Sequence, residues 1–226
     1  MTFDDLLKRA AALVRPGRRA LLGIAGGPGA GKSTLAGHLV RALNGDGEPW
    51  AAQVPMDGFH LADVELDRLG RRQRKGAPDT FDAAGYAALL RRLREDEDDV
   101  VYAPGFERVL EQPIAGAVPV PRTARLVVTE GNYLLVRDGD WARVRTYLDE
   151  VWFCELDEAE RVGRLVARHE RFGKDHETAV AWAHGTDQRN ADLIATTRDH
   201  ADLVVSGSLA PHTAAEARTE GGPRVG

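Results

Sequence analysis

Hydrophobic positions along the chain change period several times, and each change marks an expected element. Phe3, Leu6, Leu7, Ala10, Leu13 and Val14 recur at helical spacing, which predicts an amphipathic helix over residues 3–14. Ala20-Leu21-Leu22-Gly23-Ile24-Ala25 is then a short, continuous apolar run bounded by glycines, the pattern of a strand buried on both faces of a parallel sheet. Helical periodicity resumes from Lys32 to Leu43. Further apolar runs predict strands at 51–56, 100–102, 125–129, 150–155 and 202–205, with helical stretches near 82–94, 138–148 and 157–172. Short apolar strands alternating with helices predict an α/β fold, a three-layer sandwich with a mostly parallel central sheet. A single domain over residues 1–205 accounts for the pattern, and the Gly-, Ala-, Pro- and Thr-rich stretch 206–226 reads as a disordered tail.

Composition narrows the classes of function. No apolar run approaches the roughly 20 residues that span a bilayer, and the opening Met1-Thr2-Phe3-Asp4-Asp5 is acidic where a signal peptide is positive. A cytoplasmic location without a membrane partner is expected. The single cysteine, Cys154, excludes an intramolecular disulfide and a cysteine-based zinc site; its run Val151-Trp152-Phe153-Cys154 predicts a buried core thiol. Net charge is −5, and 26 Arg against 4 Lys is a composition bias, so no nucleic-acid partner is expected.

The chemistry starts at Gly26-Gly27-Pro28-Gly29-Ala30-Gly31-Lys32-Ser33, which fits G-x-x-x-x-G-K-[ST] and lies between a predicted buried strand and a predicted helix. Glycines let successive backbone N–H groups turn toward phosphate oxygens, and the following helix adds the positive end of its dipole. Gly26, Gly27, Gly29, Ala30, Gly31, Lys32, Ser33 and Thr34 are therefore the expected nucleotide contacts. Lys32 is expected at the β- and γ-phosphates and the Ser33 hydroxyl on Mg²⁺. None of the four lysines follows an asparagine, so no Asn-Lys-x-Asp guanine-reading motif exists, and no Leu-Ser-Gly-Gly-Gln signature occurs. These absences weigh against a GTPase and a transporter ATPase.

Two strand ends add carboxylates. Asp57, in Val54-Pro55-Met56-Asp57-Gly58-Phe59-His60, should stand at the carboxyl edge of the sheet, where an acid can accept the proton of an attacking hydroxyl. Its plain alternative is a turn-capping Asp beside Gly58. Glu130, ending Leu126-Val127-Val128-Thr129-Glu130, is placed to organise Mg²⁺ or its water shell, with a solvated loop charge as the alternative. With GGPGAGKST at 26–34, PMDGFH at 55–60, RKGAPDTFD at 74–82, YAPGFER at 102–108, TEGNYLL at 129–135 and RLVARH at 164–169, the chain resembles the superfamily of uridine kinases, phosphoribulokinases and type I pantothenate kinases, near bacterial members of nucleoside- or fructokinase-like type. The resemblance spans about residues 20–205. It implies a P-loop core with a mobile helical lid, ATP as donor, Asp57 as base, and an acceptor pocket around Tyr102, Phe106 and Arg108.

Arg161, Arg164, Arg168 and Arg171 fall along one helical face, a stripe suited to closing over a triphosphate or, equally, to solvent. Asp157 and Glu160 stand four residues before Arg161 and Arg164, so exposed ion pairs can occupy those two; Arg168 is favoured as the catalytic arginine. Arg164 is retained as a nucleotide contact because it fits the family's R-x-x-x-R pattern. His60 is an acceptor candidate or a locally satisfied histidine, with Glu130 also counted beside the acceptor. Asp82 is expected to cap a helix, and Lys75, Asp79 and Asn190 are lesser candidates. The expected activity is ATP- and Mg²⁺-dependent phosphoryl transfer to a small hydroxyl-bearing metabolite. The resemblance slightly prefers a nucleoside over a sugar or a pantothenate-like alcohol, and self-association is compatible with it. A nucleotide-driven switch or assembly factor is the reading of another class.

Overall fold

The structure, a computed structural model, describes residues 1–209. In chain order the elements are α1 (Phe3–Ala12), β1 (Ala20–Ala25), α2 (Lys32–Asn44), β2 (Ala51–Pro55), α3 (Asp63–Arg68), α4 (Ala83–Glu95), β3 (Val100–Glu107), β4 (Gln112–Pro121), β5 (Leu126–Glu130), β6 (Glu150–Glu155), α5 (Glu158–Arg171), α6 (His176–Trp182), α7 (Gln188–Ala195) and β7 (Leu203–Ser206). Five strands form one parallel sheet in the order β2-β5-β1-β6-β7.

Alternation along the central strands builds the layers. Leu21 and Ala25 of β1, Val127 of β5, and Val151 and Phe153 of β6 enter a core shared with α4 and Trp141. Ala20, Leu22 and Ile24, with Leu126, Val128, Trp152 and Cys154, enter the opposite core against α1 and α2. Successive strand side chains point to opposite faces, so a continuous apolar run fills two cores at once. Cys154 is the expected core thiol: it is buried, its Sγ lies 3.0 Å from the Ala30 carbonyl oxygen, and burial pushes its pKa up to about 11. No described helix is long and apolar enough to cross a membrane.

Three expectations change. The strand expected at 100–102 is longer, and it pairs antiparallel with β4 in a separate ribbon instead of joining the parallel sheet. The sequence hides β4 because Pro113, Pro119 and Pro121 break a strand pattern, yet a two-stranded ribbon has free edges that tolerate proline. The helical stretch expected near 138–148 is a 3₁₀ helix, Gly139–Tyr147; Trp141 and Val144, the buried pair, are three apart and align when each turn holds three residues. Strand β7 runs to Ser206, one residue past the expected domain boundary, and Gly207 packs against the Ala30 carbonyl. The rest of the expected tail, 210–226, lies outside the described residues.

Candidate active site

Register places the site. Ile24 pairs with Glu130 and Glu130 with Pro55, so the chain leaves β1, β5 and β2 at one level of the sheet edge. Gly26 to Gly31, Glu130 and Asp57 follow from three adjacent strands. The loop enters α2 through Gly31, whose φ of 92° suits glycine and whose missing side chain leaves the first-turn amides without a cap. A Cβ on Gly31 would stand 2.8 Å from the Gly207 carbonyl oxygen. No acid occupies this first turn, which instead carries Lys32. Free amides at the positive end of a 13-residue helix with an adjoining ammonium make an anion cradle.

Lys32 is buried, its ammonium folded back onto the Gly27 carbonyl at 2.9 Å. Burial lowers its pKa, against the pull of Glu130 and Asp57. Ser33 and Thr34 are exposed, and Ser33 faces the cleft in front of the loop. That cleft brings Lys32, Ser33, Asp57, His60, Phe106, Arg108, Glu130 and Arg168 together. Burial and the neighbouring Asp57 push the Glu130 carboxyl up to about 7. For Asp57, burial acts in the same direction, but His60, Arg108, Lys32 and Arg168 outweigh it and hold its carboxyl below the usual range. Neighbouring carboxylates driven apart in this way are suited to different tasks.

The turn carrying Asp57 is a 3₁₀ segment, Met56–Phe59, whose Gly58 abuts the ribbon: a Cβ there would fall 2.3 Å from the Pro104 carbonyl oxygen. His60 closes the turn, its backbone N–H and its Nδ1 lying 3.2 and 2.8 Å from the Asp57 carbonyl oxygen. Its ring sits between Phe81 and Phe106, with centroids 3.9 and 4.8 Å away. Burial lowers the pKa of His60, against the pull of the Asp57 carboxylate.

Several predicted residues stand elsewhere. Tyr102 is 60% exposed and off the cleft lining; the ribbon register slips between Ala103 and Gly105, which separates Tyr102 from Phe106. Arg164 is held by Glu160 at 2.6 Å and by the Gly207 carbonyl at 3.4 Å, beside Gly31 rather than on the cleft lining. The alternative offered for Arg161, an ion pair with Asp157, does not form. Asp157 caps α5, while Arg161 is buried against the Pro28 carbonyl at 3.3 Å and Gln188 at 2.5 Å. Asp82 caps α4 as expected, accepting from the Gly85 N–H at 2.8 Å. Asp79 pairs with Arg74 and is absent from the lining, whereas Lys75 and Asn190 belong to it.

The sequence reading missed Asn132, Glu111, His169, Lys174, Trp182 and Asp187, all on the cleft lining. His169 Nε2 lies 2.7 Å from Asp187 Oδ2, and Asp187 ends a single π-helical turn, Ala183–Asp187, of the kind found at functional sites. Lys174 lies 5.3 Å above the Trp182 ring and 3.9 Å from Glu111 at the ribbon tip. Lysine scarcity was a signal for one of them, Lys174: in a chain with 26 Arg, three of the four lysines, Lys32, Lys75 and Lys174, line this one cleft.

No family model matches the chain. A Schizosaccharomyces pombe protein provisionally named a uridine kinase is 31% identical over 211 residues, covering 90% of each chain. A crystal structure from Silicibacter sp. TM1040, of a protein provisionally named a fructose transport system kinase, is 39% identical with a TM-score of 0.82 over 91% of this chain and 99% of that one. A pantothenate kinase of Leifsonia xyli subsp. xyli is 31% identical over 126 residues, 55% of this chain and 38% of that protein. Similarity along nearly the whole chain, joined to the loop, the two strand-end carboxylates and the parallel sheet, makes this protein a phosphotransferase of the P-loop kinase family of uridine kinase and pantothenate kinase type.

Proposed function

We propose that the protein transfers the γ-phosphoryl group of ATP to a hydroxyl of a small metabolite. The observation that carries this reading is the meeting of Lys32, Asp57 and Arg168 in one cleft at the mouth of α2. The loop amides and Lys32 hold the β- and γ-phosphates. Asp57 faces them from the next edge strand but one, kept ionised by the surrounding cations, and receives the proton of the attacking hydroxyl. The Arg168 guanidinium makes no hydrogen bond or ion pair to any described residue, so it is available to the transferring group.

The residues present fit Mg²⁺. Glu130 is a buried carboxylate strained by Asp57, next to the Ser33 hydroxyl, an oxygen donor set that a hard cation relieves. Ser33 and Glu130 would hold the ion, which when bound neutralises charge across the β- and γ-phosphates. The lid from α5 to α7 supplies Arg168, His169 and Trp182 to the cleft and excludes water that would otherwise receive the phosphoryl group.

A nucleoside of uridine type is the first acceptor to test, followed by fructose and pantothenate, the alcohols to which the relatives' names point. Purified protein with ATP and Mg²⁺ is incubated with each alcohol and ADP release is followed. An acceptor that raises release well above the water background, with a phosphorylated product, supports the reading. A background unchanged by every alcohol, but stimulated by a protein, favours a nucleotide-driven switch.

A further inference from the structure

Most arginines around the cleft are already bound. Arg161 donates to Pro28 and Gln188, Arg164 to Glu160, and Arg74 to Asp79. Arg108 and Arg168 differ. Arg108 stands just past the end of β3 and Arg168 near the end of α5, so ribbon and lid each deliver one guanidinium to the same cleft. Neither guanidinium makes a hydrogen bond to any described residue. Arg108 has Asp57 as its ion-pair partner, with Nη2 to Oδ2 at 3.8 Å, beyond hydrogen-bond reach.

A guanidinium carries five N–H donors in a fixed fork, and leaving two such forks unfilled in one partly enclosed space is unfavourable. Like charge adds to the cost: burial and then the charge of Arg108 hold Arg168 below its ordinary range. An arrangement of this sort becomes favourable when an anion with several acceptor oxygens enters between the forks. Its place is beside Asp57, because Arg108 is already nearly in contact with that carboxylate.

We propose that Arg108 and Arg168 are the two arms of a clamp on the phosphoryl group in transit, so that Arg108 is a catalytic residue and not a reader of the acceptor. This rests on the kinase reading above. In the step, the acceptor oxygen forms a bond to the γ-phosphorus as the bond from that phosphorus to the bridging oxygen of ADP breaks. The hydroxyl proton goes to Asp57, and the electron pair of the broken bond stays on ADP. Negative charge on the three non-bridging oxygens is met by one fork from each side. Because one arm rides on the ribbon and one on the lid, the clamp depends on the placement of both elements.

The test needs no acceptor. Full-length protein is titrated with MgADP, alone and with aluminium fluoride, whose complex with ADP imitates the phosphoryl group in flight. In the wild-type protein, fluoride should tighten MgADP binding roughly 100-fold, as expected for groups preorganised toward the transition state. Arg108→Ala, a change at a side chain 42% exposed and so tolerated by the fold, should bind MgADP within about 3-fold of wild type and lose at least about nine-tenths of the tightening. Arg108→Lys should recover only part of it. Full tightening retained in Arg108→Ala overturns the clamp, as does a wild-type protein that binds MgADP but gains nothing from fluoride. Loss of plain MgADP binding in Arg108→Ala would instead assign the residue to the ground-state nucleotide, again against the clamp. A wild-type chain that binds no MgADP refutes the kinase reading itself.

Discussion

Replacing Asp57 by Asn separates the proposed proton-accepting role from everything else this residue does. The amide is nearly isosteric with the carboxylate, and the turn does not rely on the side chain. Both contacts that close it, from the His60 N–H and the His60 ring, end on the Asp57 backbone carbonyl, which the substitution keeps. The carboxylate itself has Arg108 at 3.8 Å as its ion-pair partner, a long and partly solvated contact worth at most about 1 kcal/mol. The melting temperature should therefore stay within a few degrees of wild type. Activity should not. Loss of a positioned general base slows transfer roughly 10²- to 10⁴-fold, about 3–5 kcal/mol in the barrier. ATP affinity should hold or improve, because a negative charge beside the phosphate site is removed. Turnover with the best acceptor, and ATP affinity by calorimetry, read the two effects apart. Turnover within about 3-fold of wild type would remove Asp57 from the mechanism; a collapse of ATP binding would show that the residue serves the nucleotide instead.

Other substitutions probe the frame around the base. Arg168→Ala should lower kcat by roughly 100-fold with KM for ATP little changed, whereas Arg164→Ala, tied to Glu160 and the Gly207 carbonyl beside Gly31, should act on KM for ATP; steady-state kinetics of the pair checks the assignment. Gly58→Ala drives a methyl group against the Pro104 carbonyl and should push ribbon and base apart, lowering both the thermal midpoint and kcat. Asp149 accepts from Arg94 at 2.7 and 3.0 Å and from the Leu21 N–H at 2.8 Å; burial would raise its carboxyl, but these donors hold it below the usual range. A depressed folded pKa contributes stability above the unfolded value near 3.9, lost as pH falls through the folded value. Asp149→Asn should cost about 2 kcal/mol in urea melts at pH 7, and the gap to wild type should shrink below roughly pH 3.

What the sequence made legible was local or imposed by parallel strands. The loop from Gly26 to Ser33 is contiguous, and its strand and helix are strongly patterned, so cradle and framework are readable together. Asp57 and Glu130 were readable because parallel neighbours end at one edge: whichever residues follow β2 and β5 must stand beside the loop that follows β1. The ribbon was not readable, since its prolines mask β4 and a register slip, invisible in the sequence, decides that Phe106 and not Tyr102 reaches the cleft. The arginine stripe shows the limit most clearly. Spacings of three and four place four side chains broadly on one face, but a helix turns about 100° per residue. Residues seven apart, Arg161 and Arg168, therefore differ by only about 20°, while Arg164 lies roughly 60° round from Arg161. Arg161 lies against the Pro28 carbonyl, and two turns further along the same line Arg168 reaches the open cleft; Arg164, off that line, meets Glu160 and the Gly207 carbonyl instead. Periodicity could nominate the stripe, but which arginine reaches the cleft depends on where β1 aims the loop that α5 packs against.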